Sequence, residues 1–245
     1  MTEAQTEDTV ENISEEIVVD PSSSVTDAIE TRRSVRDFLS DPVPEAVVRE
    51  ILATASRSAS GGNLQPWKVD VLAGEVRDRF VETVAERMKE TPFGEGPEYD
   101  IYPRDLQDPY RKRRGQVAKD MYALVGIARD DSAARAKQMG LNFTFFGAPV
   151  GIFVSIDRAM GPPQFADLGI FIQSIMLLAR ERGLHTCPQE AWSMWGKSIR
   201  EFTGIGDDHL VFCGIALGYA NPDAAINRLH TSRASVDDFA RLQGF

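Results

Sequence analysis

Three arginines crowd the stretch "TRRSVRDF": Arg32, Arg33 and Arg36, set around Ser34. A guanidinium offers paired N–H donors that match a phosphate, and a serine hydroxyl adds a further bond. The cluster is either an anion site for one phosphate monoester or a solvated helix end. In "SASGGNLQPW", Gly61 and Gly62 allow backbone to approach a ligand closely. Asn63 and Gln65 add amide donors and acceptors suited to a planar heterocycle with alternating C=O and N–H groups. Taken alone, that loop is a helix exit with a turn. In "LHTCPQEAW" a strand ends at a proline and a helix starts. The free N–H groups of a helix start point at whatever lies there, which suits a ring nitrogen that gains electron density on reduction.

Elements of two periods must carry these loops. Ser24 caps a short helix from Val25 to the arginines, and Pro44 opens a second through Val47, Val48, Ile51, Leu52 and Ala55. "WKVDVLAG", 67–74, predicts a strand, and residues 75–90 an amphipathic helix. Residues 91–110 hold prolines at 92, 97, 103 and 109 and show no period, the pattern of a lid or a disordered loop. Helices are expected over 110–128, 131–146 and 164–182, the last apolar on nearly every face and so destined for a core or a subunit interface. Strands are expected at 149–157, at "LHTC" and at "HLVFCGIALGY", with a helix over "EAWSMWGKSIREFTG" between the last two. The tail 220–245 is mostly extended, with a short helix near 235–242. About four strands among six or more helices, without regular alternation, predict an α+β sandwich with helices covering a small sheet.

Composition narrows the function. The net charge is −10, but residues 1–24 hold seven acids and no Lys or Arg, so the rest of the chain carries only −3. A basic nucleic-acid face is therefore not indicated. The acidic segment is expected to be a disordered tail, with residues 25–245 as one domain; the alternative is that its "EEIVVD" adds a short strand or docks on a partner subunit. Two cysteines give no disulfide framework, and the three histidines lack metal-ligand spacing. No secretory signal or membrane span is legible, which predicts a soluble cytoplasmic protein. There is no Walker sequence, no G-x-G-x-x-G and no G-x-S-x-G.

Taken together, "RRSVR", "NLQPW", "CPQEAW" and "GIALGYANPDAAINRLHTSR" resemble, in order and spacing, the motifs of the nitroreductase family of FMN enzymes. The likeness spans 25–245. It implies an α/β sandwich with a mostly antiparallel sheet, and a homodimer whose extended tails wrap the partner around flavin sites at the interface. It also implies roles for particular residues. Arg32, Arg33 and Ser34 would bind the FMN phosphate, with Arg233 returning to it from the tail. Arg36 would lie near the N1/C2 carbonyl edge of the ring. Asn63 and Gln65 would contact ring and ribityl atoms, and Pro188, Gln189 and Glu190 would line the ring. The activity implied is NADH- or NADPH-driven reduction of nitroaromatics and quinones by hydride transfer through flavin N5, with a small aromatic acceptor. Two alternatives stand beside it. One is reductive dehalogenation, for which Glu98 and Tyr102 have suggestive spacing although position 123 is alanine and Lys119 lies only nearby. The other is a flavin-binding regulatory protein without turnover. In the 91–115 lid, Arg104 and Arg111 to Arg114 are the candidate partners of a nicotinamide 2′-phosphate.

Overall fold

The structure is a computed structural model that describes residues 13–245, with side chains from Glu15 onward. Its strands form two sheets. A two-residue pairing joins β1 (Ile13–Ser14) to β6 (Leu229–His230). The main sheet holds β2 (Lys68–Ala73), β3 (Val150–Asp157), β4 (His185–Gln189) and β5 (His209–Gly218) in the order β2–β3–β5–β4, every pair antiparallel.

The two central strands explain the layers. Alternate residues of a strand point to opposite faces. On β3, Ile152, Val154 and Ile156 face one core with Leu168, Phe171 and Ile175, while Phe153 faces the other with Phe80, Phe145 and Trp192. Both faces of β3 and β5 are thus covered, which is why they read as near-continuous apolar runs. Removing a ring such as Phe153 would cost about 3–5 kcal/mol, the usual figure for a fully buried aromatic.

Helices α1 (Val25–Thr31), α2 (Glu45–Ala55), α3 (Gly74–Glu90), α4 (Tyr110–Leu124), α5 (Ser132–Gly140), α6 (Pro162–Glu181), α7 (Gly196–Thr203) and α8 (Val236–Phe239) surround the sheet. Ser24 caps α1, its Oγ accepting from Asp27 N at 3.1 Å. The 110–128 helix stops early, with Gly126 just beyond it at φ 66°. The 131–146 helix becomes a 3-10 segment, Leu141–Gly147, in which Phe145 and Phe146 take left-handed φ values of 53° and 54°. Packing overrides helix propensity here: Phe145 lies over Gly151 of β3, where any Cβ would strike its ring. The expected helix after β4 also begins as a 3-10 turn, Glu190–Trp195. That geometry eclipses residues three apart, and it buries Trp192 and Trp195 on one side. Along α6 an exposed stripe runs through Ala166, Gly169 and Ile170, the last 45% exposed. Among the described residues no helix is long and apolar enough to cross a membrane.

Two expectations need correction. Composition predicts disorder to residue 24, yet from Ile13 the acidic segment docks on the body. Ile17 is buried, Ser22 N donates to Arg180 O at 2.9 Å, and Arg180 Nη2 donates to Asp20 O at 2.7 Å. Residues 1–12 of that assignment lie outside the described residues. The 91–109 segment has no helix or strand, as expected, but its first half is fastened. Glu95 accepts from Ser198 N at 3.0 Å and Ser198 Oγ at 2.6 Å in the first turn of α7. Glu98 accepts from Val211 N at 2.8 Å, from Arg200 at 2.5 Å and from Arg158. Burial pushes the Glu98 carboxyl up, but the Val211 amide and the two arginines outweigh it and hold it below the usual carboxylate range. A carboxylate so engaged is not free to grip an amino-acid zwitterion, which removes the feature behind the dehalogenase alternative.

Candidate functional site

The arginine loop follows α1 directly and is sewn to the sheet edge. Ser34 bridges Thr186 of β4, and Val35 N donates to Thr186 O at 3.1 Å. Its far end is tied by Asn227, which sequence reasoning missed. The Asn227 Oδ1 accepts from Arg36 N at 2.8 Å, and its Nδ2 donates to Asp37 O at 2.8 Å and Asn221 O at 2.9 Å. The buried amide thus locks the loop to the closing tail. A lone Asn inside "AAINRLH" carries no local signal for that role.

A pocket of about 600 Å³ opens between loop and tail, lined by Arg32, Arg33, Ser34 and Arg36 on one side and His230, Thr231 and Arg233 on the other. Arg32 makes no side-chain hydrogen bond or ion pair among the described residues. Arg36 Nη1 donates only to Ser34 O, at 3.1 Å. Arg233 Nη1 donates to Thr231 O at 2.9 Å, Thr231 Oγ1 at 2.7 Å and Ser232 O at 2.9 Å. Among the described residues no carboxylate pairs with any of these three, although Glu30 also lines the pocket. Burial first, and then the charge of Arg233, hold the Arg32 guanidinium below its ordinary range. Arg33 behaves differently from expectation. Its Nη1 and Nη2 donate to Glu15 O at 2.8 Å and Glu15 Oε2 at 3.2 Å, so its charge is already neutralised within the chain.

A second cavity of about 1130 Å³ adjoins the first, sharing Arg36, Thr231 and Arg233. Ala191, Asn142 and Phe146 wall it at the end of the sheet, and Tyr102, Arg113, Arg114 and Arg135 wall it from the lid, α4 and α5. Arg114 lies over the Tyr102 ring at 4.0 Å and Arg135 over the Tyr122 ring at 4.5 Å. The cationic end of the lid is sorted by this geometry. Arg111 and Lys112 turn outward to Asp108 at 3.2 Å and 3.3 Å, whereas Arg113 and Arg114 face the cavity.

The "CPQEAW" stretch arrives at the same cavity through Ala191, one residue beyond the three expected. Pro188 pairs with Ile215 in the sheet. Gln189 is buried, its Nε2 donating to Asn142 O at 2.7 Å and its Oε1 accepting from Trp192 Nε1 at 3.3 Å. That side chain braces the turn instead of pointing to a ligand. Glu190 is exposed at the strand end, yet protein crowds its carboxyl without a cation beside it, which pushes its pKa up. Cys187 lies fully buried behind the loop, where burial raises its thiol although Arg36 and Arg32 pull the other way.

Asn63 and Gln65 do not join this group. Both stand on an exposed turn with φ of 58° and 49°, Gln65 Nε2 donating to Asn63 O at 3.2 Å. Neither lines either of the two joined cavities. The turn is pinned to α6 instead: Gly61 N donates to the buried Asp167 carboxylate at 3.3 Å, and Ser58 Oγ and Ser174 Oγ lie 2.7 Å apart. They sit beside the exposed stripe of that helix.

Comparison with known proteins agrees with the motifs. The sequence model of the nitroreductase family matches residues 29–219. The chain is 37% identical over 215 residues to the chloronitrobenzene nitroreductase of Comamonas testosteroni, covering 88% of this chain and 95% of that protein. The crystal structure of the FMN and NADPH-dependent nitroreductase NfnB from Sphigopyxis sp. strain HMH superposes with a TM-score of 0.87 at 46% identity, over 91% of this chain and all of that one. The FMN-dependent NfnB from Mycobacterium smegmatis, solved in complex with NADPH, gives 0.84 at 29% identity, over 89% and 96% of the two chains. A family match across most of the chain, on a fold that brings "RRSVR", "CPQEAW" and the closing tail to one pocket, makes this protein a member of the nitroreductase family.

Proposed function

We propose that the chain is a soluble, cytoplasmic, FMN-dependent oxidoreductase that uses NADPH or NADH to reduce nitroaromatic compounds and quinones. The observation that carries the reading is the set of three guanidinium groups, Arg32, Arg36 and Arg233, around two joined cavities, with no carboxylate paired to any of them among the described residues. Such a surplus of positive charge calls for a bound anion, and a phosphate monoester matches its donors. The smaller cavity fits a phosphate. The larger exceeds the usual volume of a site for one small ligand, which leaves room for a flat ring with a second ring against it.

In this reading Arg32, Arg233 and Ser34 hold the phosphate of FMN. Arg33 contributes through its backbone, since its side chain is committed to Glu15. Arg36 lines both cavities and favours negative charge at the junction between phosphate and ring. Pro188, Gln189 and Glu190 bring the first N–H groups of the Glu190–Trp195 turn to the ring's edge, where donors without an intrahelical acceptor are available. When bound, FMN supplies the two-electron chemistry that links a nicotinamide donor to a small aromatic acceptor, and a nitro group passes to nitroso and hydroxylamine. The protein's part is to bind, orient and set local charge; Phe146 and Tyr102 supply flat walls for an aromatic guest.

The working unit in this reading is a homodimer. Asn63 and Gln65 stand apart from their own chain's pocket, beside the exposed stripe on α6 and the exposed Leu64. A second copy laid along that stripe would receive them in its flavin site. The tail residues Phe239, Leu242 and Phe245, all largely exposed, would lie against the partner. Equilibrium FMN binding tests the proposal: the protein should take up about one FMN per chain and become yellow. A protein that stays colourless in excess FMN would overturn it.

A further inference from the structure

Glu15 touches both rims of the arginine pocket. Its backbone carbonyl and its carboxylate accept from Arg33 on the loop, at 2.8 Å and 3.2 Å. The same oxygen, Oε2, lies 2.7 Å from His230 Nδ1 on the tail. Glu15 N donates to Arg228 O at 3.0 Å, and the preceding Ile13 and Ser14 pair with His230 and Leu229. Arg33 and His230 both line the pocket. The N-terminal segment therefore crosses the seam between the loop that carries Arg32 and the tail that carries Arg233.

Asn227 ties the far end of the loop, at Arg36 and Asp37, to the tail, and Glu15 fastens its near end, at Arg33. Arg32 and Arg233 bring like charges to one pocket and repel each other until an anion arrives. Among the described residues the Arg233 side chain bonds within its own tail, to Thr231 and Ser232, and not to the loop that carries Arg32. The Arg33 side chain is 7% exposed, and its Nε finds no acceptor. Without Glu15 its charge would be buried and unpaired, which forces a buried cation to move toward solvent.

The structure assigns Glu15 as a positioning residue of the phosphate site, clamping the Arg32 loop to the Arg233 tail so that the N-terminal segment sets affinity for a phosphate monoester. The assignment rests on the FMN reading above. Kd values for FMN and for riboflavin, measured on wild type, Glu15→Ala, Glu15→Gln, Arg233→Ala and the Glu15→Ala/Arg233→Ala double variant, test it. Glu15→Ala should weaken FMN about tenfold, the effect of one lost charge-assisted contact, and leave riboflavin nearly unchanged. Glu15→Gln should lose less, since its amide still bonds to Arg33 or His230; it also serves if the alanine variant fails to fold. In the Arg233→Ala background Glu15→Ala should add little, because the residue it positions is gone. Equal losses for the two flavins in both Glu15 variants, or full additivity with Arg233→Ala, would overturn the assignment. A wild type that does not prefer FMN to riboflavin would overturn the phosphate site itself, a failure recognisable before any variant is made.

Discussion

Arg32 and Arg233, from opposite ends of the chain, line one pocket as like charges with no acid among the described residues paired to either, and after burial the charge of Arg233 is the main influence that lowers the Arg32 pKa. An arrangement that is unfavourable when empty becomes favourable around a dianion. Replacing either arginine with alanine should cost FMN binding roughly 1.5–3 kcal/mol while sparing riboflavin, which has no phosphate. Paired titrations with the two flavins measure this, and parallel losses would contradict it.

The lid should separate the two nicotinamide donors. Neutralising Arg113 and Arg114, which face the larger cavity, should raise KM for NADPH about tenfold more than for NADH, because one charge-assisted phosphate contact is worth that factor. Neutralising Arg111 and Lys112, which pair with Asp108 outside it, should change neither. FMN content should hold constant in both. Steady-state kinetics with each donor decide the matter, and identical effects of the two double variants would contradict it.

His185 gives a pH signature. Its ring is buried at the start of β4, Nε2 bonding to Val18 O at 3.0 Å, and burial together with the Arg180 charge lowers its pKa from 6.5 to about 4. The folded state keeps the ring neutral, while the unfolded chain takes up a proton near pH 6.5. Stability from this site is therefore complete above that value and lost as pH falls toward about 4. Across the window, unfolding free energy should drop with a slope of up to about 1.4 kcal/mol per pH unit. Urea melts from pH 7 to pH 5 should show the slope in wild type and a flatter curve in His185→Gln; matching curves would contradict the assignment.

The proposed homodimer predicts complementation. Sedimentation at micromolar concentration should give a dimer. Homodimers of Arg32→Ala or of Asn63→Ala should bind FMN weakly, but mixed dimers should regain one good site of two, since a single site would then join both unaltered residues. No recovery after subunit exchange would place Asn63 outside the partner's site.

Much of this was legible in the sequence because the signals were local. The four strands of the main sheet followed from apolar runs, and the family motifs marked the arginine loop, the β4 end and the tail. The misreadings arose where tertiary contacts decide. Acid-rich composition suggested disorder through residue 24, yet a two-residue strand and the single carboxylate of Glu15 dock that segment, and neither leaves a periodic trace. Glu95 and Glu98 looked like lid residues, but their partners, Ser198 and Arg200, lie some hundred residues away in sequence. The resemblance gives Arg33 the same role as Arg32, and its side chain lines the pocket but pairs with Glu15, since neighbours on an extended backbone point in opposite directions. The left-handed Phe145 and Phe146 followed from packing against Gly151, which no propensity encodes.

In the proposed function the joined cavities support electron transfer from a nicotinamide to a nitro group. Anaerobic stopped-flow spectroscopy of the FMN-loaded protein tests it most directly. NADPH or NADH should bleach the flavin absorbance within seconds, and a nitroaromatic should then restore it as hydroxylamine forms. Flavin that stays oxidised with both donors, or that is bleached but not restored by any nitroaromatic, would contradict it.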